Sequence, residues 1–414
     1  LIITGSDTQE SENVRNLRNL GIEVRIGHSA ENITDDVEFV VRTAAAHDDN
    51  PEIVYARENG IPVYERAQAW GAIMRGYKNA LCISGTHGKT TTTSMILYVL
   101  QRLGIEADYM VGAQIEGFER MVRLSDTAKY AVFEGDEYLT SPLDLRSKFL
   151  WYRPHVAILT GIAWDHINVF PTFPQYVDTF RKFVETISSA FIYYEGDDNL
   201  RQLAAEAQGR VQCLPYKEYV GNVEMAVFGK HNMQNLQAAC LACEQIGVKR
   251  EDFYREIASF TGASNRLEKI AETDTAVAYK DFAHSPSKLR ATINAVRERY
   301  PNKRLIACME LHTFSSLMAD FLPQYKGCMQ EADVAFVYFN PKVIEHKRLT
   351  PITKEDVAKA FGTKNVEVFT ESEALQQRLK QMSYRNTALL MMSSGTFDGI
   401  KVNDFANELL SKNQ

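Results

Sequence analysis

The sequence predicts an α/β protein made of three consecutive domains, and three observations predict it. The chain has 414 residues, which at about 150 residues per domain allows two or three domains, each with a core of its own. Short apolar runs alternate with amphipathic stretches along its length, the βαβ rhythm of mostly parallel sheets covered by helices. A glycine-rich turn, Gly85-Thr-His-Gly-Lys-Thr-Thr91, joins one such apolar run to one such amphipathic stretch.

In the first domain, residues 1–77, strands are expected at 22–26, 37–42 and 61–64, with a helix over 51–59. The chain opens inside the apolar run Leu1-Ile2-Ile3, followed by Thr4-Gly5-Ser6-Asp7, and this reads as a chain whose start is absent. An acid ending the second strand of a Rossmann half often meets a ribose hydroxyl, and Asp7 suits either that place or a plain turn. The central domain, residues 78–261, carries expected strands at 79–84, 130–133, 156–160 and 191–194 and a helix over about 232–246. Residues 211–228 show no clear periodicity. The third domain, residues 262–414, carries expected strands at 276–279, 304–309, 334–338, 366–369 and 387–392, with a helix over 287–299.

Composition narrows the function. With 45% hydrophobic and 24% charged residues the chain reads as soluble and globular, and no apolar run reaches the roughly 18 residues that span a bilayer. A net charge of -7 argues against a general nucleic-acid binder, whose affinity comes from clustered Lys and Arg. An anionic ligand must therefore meet a local positive site. Six cysteines are too few and too scattered for a disulfide framework, which points to a reducing, cytoplasmic setting. Cys240 and Cys243 have CxxC spacing on a helix face, but no second pair stands near to complete a zinc site, so they read as core.

The glycine-rich turn follows an apolar strand and precedes the helical run 94–103. Strand, glycine loop, Lys-Thr and helix form the arrangement that cradles phosphates on backbone N–H groups and a helix N-terminus. Lys89 would neutralise the β- and γ-phosphates and Thr90 would ligate Mg²⁺. The loop is two residues shorter than the general GxxxxGK[ST] pattern. Acids at the end of the 130–133 strand, Glu134 and Glu137, suit a Mg²⁺ that takes one or two carboxylates beside phosphate oxygens, or else a solvated acidic loop. Trp164-Asp-His166 brings an acid and an imidazole to the same sheet edge.

Six segments in this order resemble the Mur ligase family, ATP-dependent amide-forming enzymes of peptidoglycan synthesis. They are Gly85–Thr91, Glu134-Gly-Asp-Glu137, Asp165-His166, Gly229-Lys-His-Asn-Met-Gln-Asn235, Gly262-Ala-Ser-Asn-Arg-Leu-Glu268 and Asp281-Phe-Ala-His-Ser-Pro286. The resemblance implies a UDP-binding Rossmann-like domain, a central P-loop ATPase domain and a C-terminal Rossmann-like domain, and the shorter loop is the family's own form. It implies that Gly85, Thr86, His87, Gly88, Lys89, Thr90 and Thr91 hold ATP phosphates, with Thr90 and Glu134 on one Mg²⁺ and His166 on a second. It further implies that His231, Asn232 and Asn235 hold the adenosine, that Arg266 lies over the phosphates, and that Asp281 and His284 close on ATP and the incoming amine. Some members carry a carbamylated lysine after the Asp-His pair; Arg181 and Lys182 lie in that region without a secure match.

Within the family, the run Glu137-Tyr-Leu-Thr-Ser…Leu145-Arg-Ser-Lys-Phe149…Tyr152-Arg-Pro154 is similar to the recycling branch. That branch joins UDP-N-acetylmuramate to the tripeptide L-alanyl-γ-D-glutamyl-meso-diaminopimelate. The tail Ser393-Ser-Gly-Thr-Phe-Asp-Gly399 is also closer to it, whereas the phosphate loop is shared with the branch that adds L-alanine alone. On this reading Asp7, Thr43, Arg146, Ser394 and Gly395 are the substrate-binding candidates, Thr43 opening what remains of the UDP site. Proton acceptance from the amine falls to His284 or to a carboxylate such as Asp281. From another class, a P-loop ATPase switch without ligase activity is the alternative.

Overall fold

A computed structural model describes residues 2–411 except 114, 116, 119, 222, 224, 363 and 364. It has the three-domain α/β fold with mostly parallel sheets that the sequence implies. Contacts gather the chain into two compact units, one of Leu1–Gly76 with Glu137–Arg153, the other of Tyr77–Asp136 with Pro154–Gln414.

The first unit holds two parallel strand pairs, Thr4–Asp7 with Glu23–Ile26 and Val40–Arg42 with Val63–Glu65. Helix Pro51–Glu58 begins as its sequence dictates, with Pro51 at the first position and the Asn50 side chain accepting from Glu52 N. Residues 137–153, which the sequence reading left in the central domain, pack in this unit instead. The reason is polar. Arg42, 6% exposed, pairs with the buried Glu65 carboxylate, and the Ser141 hydroxyl donates to the same Glu65 oxygen at 3.0 Å. Gly71 lets the segment lie close: a Cβ there would stand 2.3 Å from the Trp151 carbonyl oxygen.

The second unit holds two larger sheets. The first has seven strands in the order Gln212–Tyr216, Ala190–Tyr194, Val156–Leu159, Asn79–Ser84, Tyr130–Glu134, Ala107–Met110 and Val122–Arg123. All neighbours are parallel except the last pair. The second sheet runs Glu268–Glu272, Val277–Asp281, Thr387–Met392, Arg304–Glu310, Val334–Tyr338 and Val366–Phe369, with only the first strand antiparallel. The central strands are buried along nearly their whole length, as strands covered on both faces must be. Cys240 and Cys243 are fully buried in helix Lys230–Gln245, among the core of the first large sheet. The aperiodic stretch 211–228 contains one strand, Gln212–Tyr216, whose Pro215 is tolerated because the strand lies at the sheet edge.

Asn79–Ser84 lies between Val156–Leu159 and Tyr130–Glu134, so three strand ends open side by side where the strand order reverses. In an open parallel sheet that crevice is where ligands collect.

Candidate active site

The glycine-rich turn follows Ser84, and two of its glycines are required by the backbone. Gly85 has φ +116°, and a Cβ on it would fall 2.5 Å from Thr160 Oγ1 and 2.8 Å from Thr160 N. Gly88 has φ +71°, and its Cβ would fall 2.2 Å from Asn235 Oδ1. Helix Lys89–Arg102 starts directly after Gly88 with no side-chain cap, which leaves its first N–H groups and positive dipole end available to an anion. Lys89 Nζ donates to the Gly85 carbonyl at 2.7 Å, folding the ammonium back over the loop. Thr86 Oγ1 accepts from Ala163 N at 2.9 Å, and the Thr160 hydroxyl donates to the His87 carbonyl, so the loop is tied to the neighbouring strand end.

Thr90 Oγ1 donates to Glu134 Oε2 at 3.2 Å and accepts from Arg266 Nη2 at 3.3 Å. One hydroxyl thus gathers residues from the phosphate loop, the second strand end and the third domain. Glu134 Oε1 accepts from Gly112 N at 2.8 Å, and a Cβ on Gly112 would intrude to 2.8 Å from Glu134 Oε2. Burial pushes the Glu134 carboxyl up; the Gly112 N–H, the charges of Lys89 and Arg266 and the Thr90 hydroxyl oppose that rise. The second acid, Glu137, is buried and belongs to the first unit.

His166 stands at φ +55°, with its backbone N–H donating to Asp165 Oδ1 at 2.8 Å. Burial alone would raise the Asp165 carboxyl, but His166 and the Lys288 ammonium beside it hold it below the usual range. Among the described residues, no three His, Cys, Asp or Glu side chains gather into a ready-made metal cage. Both basic residues in the region of the family's modified lysine are ion-paired. Arg181 pairs with Glu206 and Asp178, and Lys182, 61% exposed, pairs with Asp178.

His231, Asn232 and Asn235 occupy the first turns of helix Lys230–Gln245. Asn232 Nδ2 donates to the Phe228 carbonyl at 2.8 Å and its Oδ1 accepts from Asn235 Nδ2 at 3.3 Å, which leaves Asn235 Oδ1 against Gly88. Asp281 is occupied by the backbone: its two oxygens accept from Leu267 N at 2.6 Å and Ala283 N at 2.7 Å. It therefore fixes the neighbours of Arg266 and His284. The His284 Nδ1 lies 2.8 Å from the Phe282 carbonyl, which can only accept, so Nδ1 carries the proton. Burial and the Lys288 ammonium press the His284 imidazolium down to a pKa of about 3. That ring is neutral at pH 7, with its lone pair on Nε2.

Of the substrate-binding candidates, Asp7, Thr43 and Arg146 lie in the first unit, Ser394 and Gly395 in the second. Asp7 ends its strand and its Oδ1 accepts from Gln9 N at 3.3 Å, the turn alternative. Thr43 is exposed, its carbonyl closing a turn with Ala46 N. Arg146 is held twice by Asp144 and lies over the Trp151 ring at 4.0 Å. Ser394 Oγ is buried without a partner among the described residues, and Gly395 N donates to Ser393 Oγ at 2.7 Å. Beside them stands a residue the sequence reading missed: Glu310, 3% exposed, accepts from the Ser393 hydroxyl and from Phe397 N, with His312 Nδ1 at 3.6 Å. An acid closing an otherwise apolar strand, as at Glu134, was the available signal.

Comparison with known proteins agrees with this geometry. The Mur ligase family catalytic domain matches residues 2–78, the Mur ligase middle domain residues 83–213, and the Mur ligase glutamate ligase domain residues 265–395. The UDP-N-acetylmuramate–L-alanine ligase of Caldicellulosiruptor saccharolyticus is 34% identical over 352 residues, 78% of this chain and 75% of the relative. The chain belongs to the Mur ligase family. Members are ATP-dependent ligases that form amide bonds in peptidoglycan synthesis, and this Mur ligase is such an enzyme. Its fold is similar to that of a UDP-N-acetylmuramate–alanine ligase from Thermotoga maritima, with TM-score 0.72 and 22% identity, covering 99% of this chain and 93% of that one. A murein peptide ligase from Psychrobacter arcticus is similar with TM-score 0.66 and 21% identity, covering 98% and 93%.

Proposed function

We propose that this Mur ligase joins the lactyl carboxylate of UDP-N-acetylmuramate to the amine of L-alanyl-γ-D-glutamyl-meso-diaminopimelate through an acyl phosphate, in cytoplasmic peptidoglycan recycling. The observation that supports a ligase over a bare P-loop switch is the hydrogen bond from Arg266, in the third domain, to Thr90 of the phosphate loop. In the first step the carboxylate oxygen attacks the γ-phosphorus, the bond to the β–γ bridging oxygen breaks, and ADP leaves with that electron pair. In the second the neutral amine attacks the acyl carbon, phosphate leaves with the C–O electrons, and the proton released from the nitrogen goes to the departing phosphate.

Both reactants of the first step are anions, so positioning and charge neutralisation make up most of the catalysis. Lys89, Arg266 and the helix N-terminus at Gly88 supply that charge on an otherwise acidic chain. Thr90 and Glu134 are hard oxygen donors side by side, in a niche that a Cβ on Gly112 would fill, and they suit Mg²⁺. When bound, the ion neutralises charge on the phosphate oxygens. Glu134→Ala is expected to shift the Mg²⁺ dependence of turnover to about tenfold higher concentration; an unchanged Mg²⁺ titration would take Glu134 out of the metal's shell.

The tripeptide reading rests on the run from Glu137 to Pro154 and on the tail Ser393–Gly399. L-alanine is the second reading, favoured by the relative that is 34% identical and named an L-alanine ligase. Phosphate release with ATP, UDP-N-acetylmuramate and either amine separates them: the tripeptide should be turned over at least tenfold faster than L-alanine. The reverse preference assigns the enzyme to alanine addition, and release without any sugar nucleotide assigns it to a switch.

A further inference from the structure

Helix Pro286–Arg299 begins in the second unit with Ser285 as its cap, and that side chain makes no capping hydrogen bond. Ser285 is 5% exposed and its Oγ has no partner among the described residues. His87 Nδ1, in the phosphate loop, is likewise buried and without a partner among the described residues. Buried polar atoms are almost always hydrogen-bonded, so an orphan on the helix cap and another in the phosphate loop each call for a polar ligand. Lys288 lies in the first turn of the same helix, and its Nζ stands 3.4 Å from His284 Nε2. With Nδ1 carrying the proton, Nε2 offers a lone pair and holds the ammonium by accepting from it.

We propose that Lys288 is a second phosphate-binding lysine of this active site, brought by the third domain to meet the γ-phosphoryl group of the nucleotide and to stay with it in the acyl phosphate. Its ammonium is felt in the phosphate loop: burial first, and then the Lys288 charge ahead of that of Lys89, presses the His87 imidazole down to a pKa of about 4. The Lys288 ammonium is therefore near enough to His87 to be felt there beside that of Lys89. The first helix turn adds N–H donors of the same polarity. Neutral His284 contributes no charge and serves to aim Lys288, which gives that imidazole a positioning role. The assignment rests on the ligase reading only in that the phosphoryl group comes from ATP.

The test compares the Mg²⁺ complexes of ADP and of the non-hydrolysable β,γ-imido analogue of ATP, titrated calorimetrically into wild type, Lys288→Met and Lys288→Arg. Loss of a charge-assisted contact to the γ-phosphoryl group should weaken the analogue about tenfold in Lys288→Met. ADP should stay within about twofold, which also certifies the fold, and Lys288→Arg should recover most of the loss. Equal weakening of both nucleotides, or an unchanged ratio of their affinities, would overturn the assignment of Lys288. A wild-type chain that binds neither nucleotide would overturn the ligase reading and this one with it. Amine preference plays no part in the measurement, so an error about the amine leaves its outcome intact.

Discussion

Lys89→Ala is expected to lower turnover of ATP with UDP-N-acetylmuramate and amine by about 10²–10³-fold, the usual cost of removing one preorganised donor from a charge-developing site. The side chain projects from the first residue of helix Lys89–Arg102 and folds back so that Nζ meets the Gly85 carbonyl at 2.7 Å. That fold fixes a compact point charge inside a loop whose glycines at 85 and 88 leave no room for a Cβ. Lys89→Arg should therefore fail to restore the rate, since a planar guanidinium cannot occupy the same niche. Thermal unfolding should hardly change, because alanine is at least as good a helix former as lysine. The loss should fall in kcat more than in KM for the sugar nucleotide, as the charge is needed when the phosphoryl group is in flight. Wild-type phosphate release in Lys89→Ala would sink the phosphate-loop assignment.

The fold was legible where burial is complete. Strands such as Asn79–Ser84 and Thr387–Met392 are covered on both faces, and covered strands write themselves as continuous apolar runs. Two of the edge strands do not. Glu268–Glu272 and Gln212–Tyr216 are half exposed, mix charge or proline into their runs, and are held by pairing with a neighbour that sequence alone does not reveal. The packing of 137–153 was illegible for a related reason: the Ser141 contact to Glu65 joins residues 76 apart, and nothing local announces it. In the site, Lys89 and Thr90 stand out because a glycine-rich turn joins an apolar strand to their helix, and Glu134 because an acid ending an apolar strand is costly without a use. Lys288 carries no such signal. A lysine in the first turn of a helix is ordinary, and even slightly unfavourable there; only its distance to His284 gives it meaning.

Asp281→Ala is expected to destabilise the protein by about 2–4 kcal/mol and to slow turnover by about 10²-fold, through position and not through proton transfer. The carboxylate takes N–H bonds from Leu267 and Ala283 and a third bond from the buried Thr292 hydroxyl at 3.2 Å. Its removal strands two backbone donors, each costing about 1–3 kcal/mol when left unsatisfied. Those donors flank Arg266 on one side and His284 on the other, so the arginine over Thr90 and the aim of Lys288 are lost together. Asp281→Asn separates this account from the base. The amide has the carboxylate's shape, but its NH₂ must face one of the two N–H groups, so one hydrogen bond goes and a donor–donor clash replaces it. A positioning residue then predicts a loss of stability of about 1–3 kcal/mol with residual turnover and an unshifted pH profile. A residue that accepts the amine proton predicts the same loss of stability, because the N–H bonds to its oxygens are there in either case, but turnover abolished across the pH range. Equilibrium unfolding checks the loss of stability, pH–rate curves on the two variants decide between them, and the second pattern would return the proton-accepting role to Asp281.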